Sequence, residues 1–256
     1  MKRHLVMKPL VLGLGSAALA LGLFVPRDAR ALELGTPASQ HPYRSAQHFA
    51  FEIRVSPYRP QVDDDPSLRG QPYARNFGTS PRLMLGLELD WQALRIPFLG
   101  TLGVGVGVGS VSMSRTVQTA SGRTSGDETS LSIYPFWGGL VLRGDVLWHE
   151  RGFPLVPYAK AGLGMAFWRA ANSAGTATQD NISGKGTSWG TNLALGAALA
   201  LDSLDPGASR DMDNATGINS TCVFLEAYWL TLDGIGQSNA LRVGTATWAT
   251  GLAFEF

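Results

Sequence analysis

Long runs in which every second residue is apolar constrain this 256-residue chain more than any other feature. Leu83, Leu85, Leu87, Leu89 and Trp91 alternate with Met84, Gly86, Glu88 and Asp90. Leu102, Val104, Val106 and Val108 alternate with glycines at 103, 105, 107 and 109. The same period recurs from Phe49, around Leu155–Phe167, at Leu193–Leu201, from Val223 to Trp229, and from Trp248 to Phe256. Alternation at period two is the mark of strands with one apolar face. Counting a less regular stretch at 130–145, where Gly138-Gly139 suggests a bulge that switches the face, the sequence predicts eight strands. An ordinary globular strand holds about 5–6 residues. Here the alternation persists over 83–91 and over 155–167, the length a tilted membrane-crossing strand needs, about 9–11 residues.

The face opposite the apolar one decides the architecture. It carries Gly, other small residues and a few charges. On the outside of a soluble sandwich or a lipocalin-like barrel, that face would need Lys, Glu and Thr, and glycine weakens strands while covering nothing. Pointed into the narrow lumen of a closed barrel, small residues are instead what the space demands. Composition agrees: charged residues are 16% of the chain against 45% apolar, where a soluble domain has about 25% charged. The expected fold is therefore all-β, an eight-stranded antiparallel transmembrane barrel. One Cys excludes a disulfide framework, and a near-neutral charge gives no reason to expect nucleic acid.

Residues 1–31 read as an export signal. Lys2, Arg3, His4 and Lys8 precede an uncharged run from Pro9 to Pro26, and Ala29-Arg30-Ala31 offers small residues to a signal peptidase. The run is short for a spanning helix, which needs about 20 apolar residues. The expected division is a cleaved signal peptide (1–31), a periplasmic N-terminal tail (32–47) and the barrel (48–256). Without the first 31 residues, 16 cations remain against 19 anions.

The connections differ in length. Those at 59–80, 116–128, 170–187 and 233–241 are long and polar, whereas 92–97 and 149–154 are short. Long loops on one side and short turns with both termini on the other is the asymmetry of outer-membrane barrels. The connection at 202–221 breaks the pattern; its Asp205, Asp211 and Asp213 with Gly207 and Gly217 suggest a small subelement, about one helical turn. Trp91 and Trp148 near one end, and Trp168, Trp189 and Trp229 near the other, are compatible with two aromatic girdles.

The chain stops at Leu252-Ala253-Phe254-Glu255-Phe256, preceded by Trp248. In this it resembles the outer-membrane barrels of Gram-negative bacteria, small barrels of the OmpA, OmpX and OmpW kind. The resemblance implies that Trp248, Leu252, Phe254 and Phe256 form an assembly signal read by the barrel-assembly machinery. A narrower likeness, to a myxobacterial outer-membrane barrel family, rests on Phe51-Glu52-Ile53-Arg54, Pro57-Tyr58-Arg59-Pro60, Leu87-Glu88-Leu89-Asp90-Trp91, Arg143-Gly144-Asp145 and Pro157-Tyr158-Ala159-Lys160-Ala161-Gly162. It implies an architecture and no activity.

Catalytic motifs are weak. Gly186-Thr187-Ser188-Trp189-Gly190 matches the nucleophile elbow G-x-S-x-G, but that motif needs a strand before it and a helix after it, and here a polar loop precedes and a strand follows. Past the signal the only histidines are His41, His48 and His149, none placed to serve a loop-end Ser or Asp as a base. Asp63-Asp64-Asp65 lacks the spacing of a cation loop and reads as a solvated loop tip. No enzyme, cofactor or metal is expected.

Glu52, Arg54, Glu88, Asp90, Arg143, Asp145, Lys160 and Glu226 fall mostly on the small-residue faces. They should point inward, because a charge on the lipid face at mid-membrane costs about 2–4 kcal/mol. Two readings follow. The charges pair into a plug that closes the lumen, or they line a narrow path. The expected protein is a monomer of the bacterial outer membrane with a structural or surface role, contacting membrane lipid and lipopolysaccharide. The alternative is a porin-like narrow channel or carrier for small polar or apolar molecules, the apolar ones entering through the barrel wall.

Overall fold

The computed structural model describes residues 32–33, 48–66, 68, 70–118, 124–149, 151–172, 175–179, 182–235 and 240–256. The signal segment 1–31 and most of the tail at 34–47 lie outside the described residues. Eight long strands follow one another around a closed antiparallel sheet: β1 (Phe49–Tyr58), β2 (Arg82–Ile96), β3 (Gly100–Gln118), β4 (Thr124–Arg143), β5 (Leu155–Asn172), β6 (Lys185–Ala200), β7 (Ser220–Thr231) and β8 (Thr245–Glu255). Each pairs with the next, and β8 closes on β1 over the register Thr250↔Val55 to Glu255↔Ala50. Leu32–Glu33 adds a short parallel pairing to Leu94–Arg95. Closure leaves no strand as a free edge, which is the condition for a sheet to stand in hydrocarbon.

Alternation assigns the faces along most of β1 to β8; it lapses where the β2–β3 register shifts between Trp91 and Leu94. Ile53, Leu83, Leu85, Leu87, Val104, Val106, Leu140, Leu163, Leu193, Leu195 and Leu225 are exposed on the outer wall. Their sequence neighbours, among them Glu52, Met84, Glu88, Val141 and Glu226, are buried inside. The expected bulge at Gly138-Gly139 is absent. The register runs unbroken through Gly105↔Gly139 and Val106↔Gly138, and the ladder with β5 is equally regular. The irregular hydropathy of β4 has another cause: Leu131, Ile133 and Trp137 are apolar residues pointing inward, so apolar residues occupy both of its faces.

Strand ends also extend beyond the expected limits. β3 and β4 continue to Gln118 and from Thr124, through a stretch read as loop. Register persists from Ser112↔Ser132 to Thr116↔Glu128, where hydropathy no longer alternates because Ser, Thr and Arg dominate the sequence. The 202–221 connection holds far more than one helical turn. Helix α3 (Pro206–Thr216) has Pro at its first position, an Asp205 cap accepting from the amides of Gly207 and Ala208 at 3.0 Å each, and a left-handed Gly217 at its end. The shorter helices are α1 (Pro72–Phe77), in the loop after β1, and α2 (Val146–His149), in the turn after β4.

The aromatic belts need revision. Trp91, Trp189, Trp229 and Trp248 are exposed on the outer wall. Trp168 instead packs against the interior apolar cluster, and Trp148 against a second one near the turns. At the terminal end Phe49 stacks on Phe256 at 5.9 Å, and Phe49 is the register partner of Trp91.

Glycine makes room for what the lumen holds. A Cβ on Gly107 would stand 2.3–2.5 Å from the Trp137 ring, and one on Gly105 would stand 2.3 Å from a carboxylate oxygen of Asp90. Gly107→Ala should therefore lower stability by about 1–3 kcal/mol, read as an earlier urea midpoint in detergent. Val106→Leu, one residue away on the outer face, should change it by less than about 0.5 kcal/mol.

Candidate functional site

The inward side chains form two levels, and the polar level lies nearer the termini. β1 contributes Glu52 and Arg54, β2 Glu88 and Asp90, β4 Arg143, β5 Lys160, β7 Glu226 and β8 Glu255. All are almost fully buried. Lys160 Nζ reaches Glu52 Oε2 and Glu88 Oε1 at 2.8 Å each, and Glu226 Oε2 at 3.7 Å. Arg143 holds Glu52 at 2.8 Å, Asp90 at 2.9 Å and Glu255 at 3.0 Å. Arg54 holds Glu88 at 2.6 Å and also pairs with Glu226. The three cations thus join five carboxylates into one connected network.

Its direction matters more than its size. In a closed ring of eight strands, strands four apart face each other. Lys160–Glu52 joins β5 to β1, and Arg143–Glu255 joins β4 to β8, so both pairs reach straight across the lumen. Aromatic groups close the gaps. Trp137 Nε1 donates to Glu88 at 2.8 Å, and Tyr158 donates to Glu226 at 3.0 Å. The Arg54 guanidinium lies 4.9 Å from the Trp137 ring centroid and 5.6 Å from that of Tyr228.

Of the eight charges read from the sequence, the structure brings seven together. Asp145 stands apart, past the end of β4, where Thr101 donates to it and Arg95 pairs with it at 3.5 Å. The eighth network member, Glu255, is not among the charges read from the sequence; the parity of β8, with Phe254 and Phe256 outward, turns it inward. Of the four residues that the resemblance marks as an assembly signal, Trp248, Leu252 and Phe256 are exposed on the wall and Phe254 is half-buried.

Above the charges the lumen is apolar. Tyr58, Met84, Val111, Met113, Leu131, Ile133, Tyr228 and Leu230 pack together with Val62 and Tyr73 from the β1–β2 loop and Val243 from the β7–β8 loop. The loop therefore folds inward. Asp63 accepts from the amides of Tyr73 at 2.8 Å and Ala74 at 3.0 Å, holding the first turn of α1 in place. Tyr73 donates to the Met113 sulfur at 3.1 Å, and burial pushes its phenol above the ordinary tyrosine range. Asp63, read as part of a solvated tip, is a structural cap. No sequence motif marks this role, because a carboxylate nine residues before the start of a six-residue helix belongs to no capping pattern.

The remaining candidates resolve plainly. The G-x-S-x-G segment lies within β6, and buried Ser188 donates to the Leu241 carbonyl at 2.6 Å. His48 lies at the terminal end, bonded through its amide to Phe256; His41 is outside the described residues. Among the described residues no group of three His, Cys, Asp or Glu side chains is arranged to hold a metal.

Fold and faces together define a small closed barrel with an apolar outer wall and buried charges on its inner face. No family profile and no curated protein matches the sequence. Among solved structures, the chain is similar to the attachment invasion locus protein Ail of Yersinia pestis (10% identity, 82% of this chain and 97% of that one, TM-score 0.40). It is also similar to Neisserial surface protein A (11%, 83% and 98%, 0.45) and to the outer membrane protein OprG of Pseudomonas aeruginosa (12%, 83% and 97%, 0.47). No statement about activity passes from them to this chain.

Lys160→Met leaves Glu52, Glu88 and Glu226 short of a cation in a dry interior and should cost about 3–5 kcal/mol. Arg95→Met, which removes the partly exposed partner of Asp145, should cost about 1 kcal/mol or less. Urea midpoints of the two variants in the same detergent measure the difference.

Proposed function

We infer that this protein is an outer-membrane barrel with a structural or surface-contact role and a lumen that does not conduct. The observation that carries the reading is the pair of ionic bridges crossing between opposite strands, β5 to β1 and β4 to β8. A pore leaves its charges on the wall with water between them. Here Lys160 and Arg143 stand 2.8 and 3.0 Å from carboxylates of the far side, and the apolar level packs above them. Membrane location is supported by the continuous apolar wall, by its exposed Trp residues and by closure of the sheet. The turns and termini would then face the periplasm, and the longer loops and the β3–β4 arms would stand outside, where contact with lipopolysaccharide is available. Assembly through the terminal strand, as a monomer, belongs to the same reading.

Two measurements test it. A folded membrane barrel keeps its compact form in unheated denaturing gels, so heated and unheated samples should migrate differently; identical migration would count against the barrel in a membrane. In planar bilayers the protein should give no steady conductance steps. Steady steps whose size changes in Glu88→Gln would overturn the closed lumen.

A further inference from the structure

Among the described residues the ladder between β1 and β8 is interrupted. β1 and β8 pair only as far as Val55↔Thr250, and past a long contact from the Arg59 amide to the Thr245 hydroxyl at 3.5 Å the ladder resumes where the Gln61 amide donates to the Gly244 carbonyl at 2.9 Å. Both points belong to the same register, so the strands separate and rejoin. Pro57 explains the separation. Phe49 exchanges both backbone hydrogen bonds with Phe256, so every odd residue of β1 turns its backbone groups toward β8. Residue 57 is such a position, opposite Trp248, and proline has no N–H to donate. The ladder breaks where its donor is missing.

A cleft of about 630 Å³ occupies the break, lined by Pro57, Gln61, Asp64, Pro81, Thr247 and Trp248 among others. Trp248 faces outward on β8 and Thr247 belongs to the inward set, so the cleft enters the thickness of the wall. It ends blind. Tyr58, fully buried, donates to the Val243 carbonyl, and buried Ala249 packs in the same interior cluster. The cleft thus opens sideways, at the loop end of the apolar wall, and does not join the charged level.

Its chemistry narrows the occupant. An unpaired sheet edge facing hydrocarbon is costly unless a polar group meets it. Trp248, half exposed, offers a flat apolar platform, while Gln61, Asp64 and Thr247 offer donors and acceptors around it. Arg59 and Asp63 also line the cleft, 3.9 Å apart, so with the exposed Asp64 the lining carries one cation against two carboxylates, a net negative balance that opposes a phosphate. Toward the terminal end the wall presents Leu83 (66% exposed), Leu85 (58%) and Ile53 (45%), a track for an acyl chain. We propose that the β1–β8 cleft binds a membrane lipid with an uncharged sugar headgroup, the sugar ring against Trp248 and its hydroxyls on Gln61, Asp64 and Thr247. The proposal rests on the membrane reading above and adds a specific lipid site to it.

The test is native mass spectrometry of the full barrel in a tetraethylene glycol detergent, after incubation with monoglucosyl diacylglycerol or phosphatidylglycerol. One glucolipid should be retained, and phosphatidylglycerol should be held about tenfold more weakly. Trp248→Ala and Gln61→Ala should each lower glucolipid retention, the former about tenfold. Pro57→Val supplies the missing N–H opposite Trp248, so it should close the cleft and abolish retention while keeping the heat-resistant gel form. Equal retention of phosphatidylglycerol, unchanged retention in Pro57→Val, or equal competition by free glucose would each overturn the proposal. A barrel that enters vesicles but retains no glucolipid refutes this site alone. Failure to enter vesicles refutes the membrane reading and the site together.

Discussion

The structure depends on charges buried inside a wall that has to be apolar outside. Three cations and five carboxylates in a dry interior are tolerable only if each finds a partner, since an unpaired buried charge costs several kcal/mol. That requirement sets the width of the lumen. Lys160 and Arg143 reach strands on the far side only because β3 and β6 bring Gly105, Gly107 and Gly196 to the level of the network, where a Cβ would meet Asp90, Trp137 or Tyr158. Glycine on one set of strands and long charged side chains on the others are two halves of one packing solution. The abundance of glycine and the scarcity of charge have the same origin.

The two lumen levels divide the work of closure. The ionic level ties strands distant in sequence, β1 with β5 and β4 with β8. The apolar level is completed by chain that is not in the barrel wall: Val62, Tyr73 and Val243 come from loops that turn inward. Asp63 makes this folding possible by satisfying the amides of α1, which would otherwise enter an apolar interior unpaired. The break at Pro57 sits beside this loop, where the wall gives way to loop chemistry and an interrupted ladder is tolerable.

Particular elements show how far sequence reaches. Strand identity, facing and the inward aim of seven charges were legible, because period-two parity fixes a face once lipid and lumen differ in polarity. Glu255 was equally available from parity, yet the terminal Phe drew attention first. The reading of Gly138-Gly139 as a bulge failed because Leu131 and Ile133 are apolar on the lumen face, so hydropathy stopped distinguishing the sides. The arms of β3 and β4 read as loop in the sequence because Ser and Thr fill them. Helix α3 shows in the sequence only by Pro206 and Gly217 at its ends, since its polar residues give no apolar stripe.

Sequence alone determined that the chain forms a closed barrel of long strands, with which residues outside and which inside, because those are properties of alternation along one strand. Tertiary structure alone decided who pairs with whom. That Lys160 meets Glu52, that Asp145 stands apart with Arg95, and that Pro57 meets Trp248 where a donor is needed, all depend on the register between strands distant in sequence. Register is set jointly by every ladder around a closed ring, so no single strand encodes it.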